Sequence, residues 1–393
     1  MGLSLPSPIG LRRNFLSVPF VLWTNRKRFL YSSPACSEDP MPTLNDRRLS
    51  ATLLSVSFLL LAVPVTLVCQ QPSLSSQPTP AGTTAGAPAG SGAAAFGRPR
   101  RPPMSALDQE IDLGLTGPAN RNLPSLILVG DSTVRNGHGT GSDGQWGWGH
   151  PIHDLFDPAK INVVNRAIGG LSSHSYISQG HWANTLALIK PGDYVLIQWG
   201  HNDGGLNLPG AAPIPDAGLL PGQAPPAPRP GAAPRGQNVG GSLPGIGEET
   251  LDATNPRTGQ TETVHTYGWY LRKYIADVKA KGATPIICSL VPRKLWLDGH
   301  IVRQTSTYRG WAQQVAEQEH VGFVDLNEII ARQYDALGPT AVEPLFADPH
   351  THQSMAGATL NAESVVAGLR ALPGDPLSRY LSDRGREIAA YRP

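Results

Sequence analysis

Short apolar runs recur along the chain from residue 125 onward, each followed by a polar loop rich in glycine. They lie at 126–129 (Leu-Ile-Leu-Val), 161–164 (Ile-Asn-Val-Val), 194–199 (Tyr-Val-Leu-Ile-Gln-Trp), 284–290 and 322–325. Runs of this length and β-branched content predict strands buried on both faces, as in a parallel sheet. Between them the apolar spacing lengthens to that of helices. Ile152, Leu155 and Phe156 share one face of a short helix, and longer helices are predicted over about 181–190, 264–281, 305–319, 326–337 and 356–371. Tyr267, Trp269, Tyr270, Leu271, Tyr274, Ile275 and Val278 give the second of these an amphipathic face, closed by Gly282. The alternation predicts an α/β fold: a three-layer α/β/α sandwich whose five-stranded parallel sheet runs in flavodoxin-like order. No internal repeat is present.

Composition limits how much of the chain can join that fold. With 43 Gly and 38 Pro among 393 residues, the two types far exceed the roughly 12% of an average protein. Residues 70–105 and 209–240 hold most of the excess and almost no large apolar side chains, too few to offset the entropy of ordering. The expected organisation is an N-terminal extension over 1–69, a Pro/Gly/Ala-rich linker over 70–123, one domain over 124–372 with an insertion at 209–240, and a tail over 373–393. The net charge of +2, with Lys and Arg scattered through the domain, argues against a nucleic-acid partner.

The N-terminus carries a targeting pattern. Arg47 and Arg48 precede an uncharged apolar stretch at 53–68, the layout of a secretory signal. Met41 stands at the right distance to start such a signal; with residues 1–40 present, the stretch reads instead as a membrane tether, just short of the about 20 residues a span needs. Cys69 ends the stretch where a lipid would attach, although Val68 is larger than such sites usually accept. Each reading puts the domain outside the cytoplasm, secreted or periplasmic. Of the three cysteines, Cys288 alone falls in the domain, inside an apolar strand run, so no disulfide is expected. A monomer that needs no metal or organic cofactor is expected.

Four polar segments carry the candidate chemistry: Gly130-Asp131-Ser132-Thr133, Gly169-Gly170, Gly200-His201-Asn202-Asp203, and 348–352. The first three follow consecutive strand runs, and loops at the carboxyl ends of neighbouring parallel strands converge on one crevice. Ser132 is the candidate nucleophile. Gly170 offers an open backbone N–H and Asn202 a side-chain amide, the donors an ester oxyanion needs. Serine also requires a base and that base an orienting group; His352 and Asp348 stand just ahead of the last helix. Asp131 and Asp203 read as loop braces, and Trp146, Trp148 and His150 as lining or support for the first loop. No Gly-x-Ser-x-Gly elbow occurs, which disfavours the α/β-hydrolase arrangement.

In order and spacing these blocks resemble those of the SGNH (GDSL-type) hydrolases, and within them the chain is similar to rhamnogalacturonan acetylesterases. The likeness rests on Gly130-Asp131-Ser132-Thr133-Val134, Asn165-Arg166-Ala167-Ile168-Gly169-Gly170 with Ser172-Ser173, and Trp199-Gly200-His201-Asn202-Asp203-Gly204-Gly205. It continues through Val264-His265-Thr266-Tyr267-Gly268-Trp269-Tyr270 and His350-Thr351-His352-Gln353-Ser354-Met355-Ala356-Gly357-Ala358, covering about 124–372. The resemblance implies removal of O-acetyl groups from a pectic polysaccharide through an acyl-enzyme, with catalytic Ser132, Gly170, Asn202, Asp348 and His352. Two departures stand out. The family's Asp-x-x-His motif is lengthened here by one residue, to Asp348-Pro349-His350-Thr351-His352. Three readings stay open: Asp348 reaches His352 through a bulge, His350 is the base, or a Ser–His dyad uses a backbone carbonyl. Leu171 also occupies a position where these acetylesterases commonly carry Arg.

Two other function classes remain. A metallophosphoesterase is suggested by His201, Asn202, Asp203, His350 and His352, but its ligand pattern wants Gly-Asn-His and an Asp-x-His at the first strand, neither of which is present. A non-catalytic carbohydrate-binding domain would fit the altered Asp spacing, against the retention of Ser132, Asn202 and His352. An acetylesterase acting on another glycan or a small ester keeps the same chemistry.

Overall fold

The computed structural model describes residues 104–205, 240–255 and 259–393. The apolar stretch at 53–68, most of the 70–123 segment and the 209–240 insertion apart from Gly240 lie outside the described residues. In chain order the described elements begin with helix α1 (Ala106–Asp112), strand β1 (Ser125–Gly130), a 3-10 turn at Pro151–Leu155 and strand β2 (Asn162–Asn165). Helices α2 (Ser173–Ser178) and α3 (His181–Leu186), strand β3 (Tyr194–Gln198) and a hairpin of β4 (Thr250–Thr254) with β5 (Thr261–His265) follow. Then come α4 (Tyr267–Ala280), β6 (Thr284–Cys288), the short pair β7 (Trp296–Leu297) and β8 (His300–Ile301), and α5 (Tyr308–Gln318). The chain closes with β9 (Gly322–Val324), α6 (Leu326–Val342), α7 (Met355–Arg370) and α8 (Asp383–Glu387).

Five strands form one parallel sheet in the order β2-β1-β3-β6-β9. Counting only these strands, that is the predicted flavodoxin-like order. Side chains alternate between its two covered faces, which is why the strands are apolar over most of their length. Leu126, Leu128, Leu196, Ile286 and Cys288 pack with Ile152, Phe156 and residues of α6 and α7. Ile127, Val129, Val195, Ile197 and Ile287 pack on the other face with Tyr270, Tyr274, Val315 and neighbours from α4 and α5. Cys288 lies wholly in the core, and burial pushes its thiol up to about 12.

The structure departs from the expected elements in physically readable ways. The helix expected from 264 begins at Tyr267, because 264–265 pair with β4 and Thr266 caps the helix by accepting the Trp269 N–H. The segment expected as one helix at 181–190 is α3 ending at Leu186, preceded by α2 with a Ser172–Ser175 capping box. Gly338, at φ +78°, breaks α6 where the sequence placed its end, and a further turn restarts at Pro339.

Packing also extends past both edges of 124–372. In α1, the buried Glu110 accepts from Arg166, from Asn184 Nδ2 at 3.1 Å and from the His181 ring at 2.9 Å. At the other end Leu377 and Leu381 are buried, and the Ser382 and Tyr391 N–H groups donate to Leu155 and Ala367. Among the described residues no helix is long and apolar enough to cross a membrane.

Candidate active site

Ser132 sits on the turn that leaves β1. The turn is built by Asp131, whose carbonyl accepts the Val134 and Arg135 N–H groups while its Oδ1 accepts the Thr133 N–H at 2.9 Å and the Thr133 hydroxyl at 2.8 Å. Gly130 is required by space: a Cβ there would stand 2.6 Å from Val134 Cγ2 and 2.7 Å from the Gln198 carbonyl. From β3, the buried Gln198 donates to Thr133 Oγ1 at 2.7 Å and accepts from Trp148 Nε1 at 2.8 Å. Trp148, buried, therefore supports the nucleophile turn from below. Trp146 is partly exposed; its N–H donates to the Gln353 carbonyl and its ring lies 4.6 Å from that of His150.

The loop after β2 passes directly over this turn. A Cβ on Gly169 would come within 3.3 Å of Ser132 Cβ, a contact tight enough that the loop or the serine would have to give by a few tenths of an ångström. Gly170 follows at φ +80°, exposed, in the left-handed region that favours glycine. The backbone N–H groups of Ser132 and Gly170 have no protein acceptor among the described residues. Asn202, from the loop after β3, donates one amide hydrogen to the Leu171 carbonyl at 2.9 Å, which brings its amide to the same loop and leaves a second donor hydrogen. Asp203 braces the assembly as expected. Fully buried, it accepts the Ser173 hydroxyl and the Ser173 N–H at 3.2 Å; burial raises its carboxyl to about 6 against the pull of these donors.

The Asp348–His352 segment explains the extra residue. Asp348 Oδ1 accepts the backbone N–H groups of His350, Thr351 and His352 at 3.0, 2.6 and 3.0 Å, so the chain curls around one carboxylate oxygen. Its Oδ2 lies 2.6 Å from His352 Nδ1, and His352 Nε2 lies 2.9 Å from Ser132 Oγ. Burial alone would raise the Asp348 carboxyl, but the backbone donors and the His352 contact outweigh it and hold it at about 2. An ionised carboxylate only accepts, so Nδ1 carries the ring proton and Nε2 turns its lone pair to the Ser132 hydroxyl. Of the three readings left open by the lengthened motif, the geometry matches the bulge. The other two do not match it: the His350 ring bonds Thr351 Oγ1 at 2.6 Å, and the carboxylate occupies the place a backbone carbonyl would take.

Three partners of the site were missed in the sequence. Gln198 was hidden inside an apolar strand run. Thr351 was read only as spacing. Arg293 follows β6 on the side of the sheet where the site lies, and position was the sole signal available. It is buried, its Nη1 donates to Thr351 Oγ1, and its Nη2 donates to the His201 carbonyl at 3.3 Å. Beside it, burial, and then the Arg293 and His352 charges, hold the His201 imidazole well below its usual range. Among the described residues no three His, Cys, Asp or Glu side chains are grouped as a metal ion would require.

The arrangement is a serine hydroxyl hydrogen-bonded to an imidazole that is itself bonded to a carboxylate, with two backbone N–H groups that have no acceptor among the described residues and an amide on the adjoining loops. Such a set activates a hydroxyl and stabilises an oxyanion. The chain is 28% identical to a rhamnogalacturonan acetylesterase of Emericella nidulans over 62% of its own length and 83% of the relative's. It is also 28% identical to the probable rhamnogalacturonan acetylesterase YesY of Bacillus subtilis, over 65% of this chain and 96% of that one. A solved structure, the YxiM protein of Bacillus subtilis, is similar at 24% identity and a TM-score of 0.45 over 63% of this chain and 56% of that chain. Residues 128–360 match the GDSL-like lipase/acylhydrolase family, and the chain belongs to that family as a carboxylic ester hydrolase.

Proposed function

We propose that this protein is a serine acetylesterase that removes O-acetyl groups from a polysaccharide, with pectic rhamnogalacturonan as its substrate. The observation that carries the chemistry is the hydrogen-bonded line from Ser132 Oγ through His352 to Asp348. In the proposed reaction His352 Nε2 takes the hydroxyl proton as Ser132 Oγ attacks the acetyl carbonyl. The resulting oxyanion is held by the Ser132 and Gly170 N–H groups and by the Asn202 amide. The sugar hydroxyl leaves with the proton from His352, giving acetyl-Ser132. Water, deprotonated by the same imidazole, then releases acetate and restores the serine.

The substrate assignment is supported by the relatives named rhamnogalacturonan acetylesterase and by the blocks shared with them. Leu171 favours a second reading of the sugar. This apolar side chain puts no cation beside the Gly170 loop, which suits a neutral acetylated glycan as well as an anionic one. Acetate release from acetylated rhamnogalacturonan, acetylated xylan and a small acetate ester, compared by kcat/KM, tests the assignment. Preference for the pectic polymer supports it; preference for xylan replaces the substrate and keeps the chemistry.

The apolar stretch behind Arg47 and Arg48 further leads us to propose that the enzyme works outside the cytoplasm. Recovery of the intact chain from the soluble cytoplasmic fraction would overturn that.

A further inference from the structure

We infer that Arg293 is a positioning residue of the catalytic site: its guanidinium clips the loop that bears Asn202 to the loop that bears His352. The inference rests on the site reading given above and extends it to a residue outside the nucleophile, base and oxyanion set.

Three observations carry it. First, Arg293 is 8% exposed, and its charge acts on the buried Asp131 carboxyl without a direct ion pair among the described residues. An unpaired cation is costly to bury unless its donors are used. Secondly, its two terminal nitrogens each donate to one of the two loops of the site, while its buried Nε has no partner among the described residues. Nη1 reaches the hydroxyl of Thr351, the residue immediately before His352. Nη2 reaches the carbonyl of His201, the residue immediately before Asn202, at 3.3 Å. One planar fork thus spans two loops that share no sheet hydrogen bonds. Thirdly, the next residue repeats the attachment through the backbone: the Lys294 N–H donates to the His350 carbonyl at 2.9 Å. The loop after β6 is therefore a third support, bound to the Asp348–His352 segment at two points and to the oxyanion-hole loop at one.

The consequence concerns relative placement. The Asp348 carboxylate fixes the orientation of the imidazole within its own loop. It does not fix where that loop lies with respect to the Asn202 amide, and the reaction needs His352 at the attacking Ser132 hydroxyl and the Asn202 amide at the oxygen of the same ester carbonyl. A fork with two separated donors supplies that constraint. A lysine ammonium is a point charge and cannot hold both acceptors in one plane. Misplacement of a catalytic group by about 1 Å can cost on the order of a hundredfold in rate.

The experiment measures kcat and KM on a small chromogenic acetate ester, per active site counted by covalent titration of the serine, together with thermal midpoints. Its variants are Arg293→Lys, Thr351→Val, their combination, and Arg293→Ala with and without millimolar guanidinium. His352→Ala serves as the control. Arg293→Lys is expected to lower kcat per titrated site by about ten- to a hundredfold with KM within about twofold. Thr351→Val should lower it in the same sense, and the double variant should be no worse than Arg293→Lys alone, because Arg293→Lys already disrupts the link that Thr351→Val removes. Guanidinium should restore part of the rate to Arg293→Ala. A purely structural role would lower the thermal midpoint and the titratable fraction while leaving kcat per site unchanged, and additive losses would deny the link; either result overturns the inference. If Arg293→Ala does not fold, the lysine and valine variants decide alone. Activity retained by His352→Ala would instead overturn the site reading itself, whatever Arg293 does.

Discussion

Replacing Asp348 with Asn separates the two tasks that its carboxylate performs. Oδ1 organises the loop by accepting three backbone N–H groups, and Oδ2 orients His352 through a 2.6 Å contact. An asparagine carbonyl can keep the three backbone bonds, so the loop should hold its shape. Its amide then presents N–H to His352 Nδ1. To accept it, the ring must move its own proton to Nε2, the atom 2.9 Å from Ser132 Oγ. The base would then face the serine with a proton instead of a lone pair. Loss of the correct tautomer in a serine triad costs about 10⁴-fold in kcat, which at ~1.36 kcal/mol per decade is about 5.4 kcal/mol of barrier.

Asp348→Ala should differ by unseating the loop as well. It leaves the three backbone donors without their acceptor, which costs stability that the asparagine retains. The expected pattern is a thermal midpoint close to the parent for Asn, a lowered one for Ala, and severe loss of kcat/KM on a chromogenic acetate ester for both. An Asp348→Asn enzyme within tenfold of the parent would refute the orienting role.

Asn202→Ala removes one oxyanion donor and should raise the barrier by about 2.7–4 kcal/mol, read as a fall in kcat with little change in KM. His350→Ala should cost far less, since that ring contacts Thr351 and not Ser132; a dead His350→Ala beside an active His352→Ala would reverse the assignment of the base. Asp203 gives a pH test. Its folded carboxyl is raised to about 6 from an ordinary 3.8, so the folded state holds a proton that the unfolded chain has lost. Its contribution to stability is therefore greatest below about pH 4 and declines as pH rises to about 6. Asp203→Asn keeps an acceptor for Ser173 and removes the titration, so its thermal midpoint relative to the parent should rise across that window; a flat difference would argue against the shift.

The sheet was legible because strands buried on both faces carry unbroken apolar runs, as at 126–129 and 194–197. Three of the four site segments were legible because each follows such a run, and the fourth because its His and Asp stand just ahead of the last helix. What escaped notice was structure whose stabilising contacts are polar or remote. Helix α1 is tied down by Glu110, a residue that in sequence looks like a solvent charge. The β4–β5 hairpin shows water most of its side chains, with Ala253 and Val264 alone buried, too little to register as a strand pattern beside the aromatic run of α4. In the last segment Leu377 and Leu381 are buried against distant elements, and nothing local marks them. The lengthened Asp348–His352 spacing stayed open for the same reason. Closing it needed three backbone donors turned onto one oxygen, a matter of local dihedral angles that residue types do not encode.

The central claim is that Ser132 carries the acetyl group between substrate and water. Rapid quenching of the enzyme during turnover of an acetate ester, followed by peptide mapping by mass spectrometry, tests it directly. One acetyl group on the peptide containing Ser132, absent from Ser132→Ala and from His352→Ala, is the predicted result. An active enzyme that shows the acetyl group on another residue, or a Ser132→Ala variant that still turns over, would contradict the account.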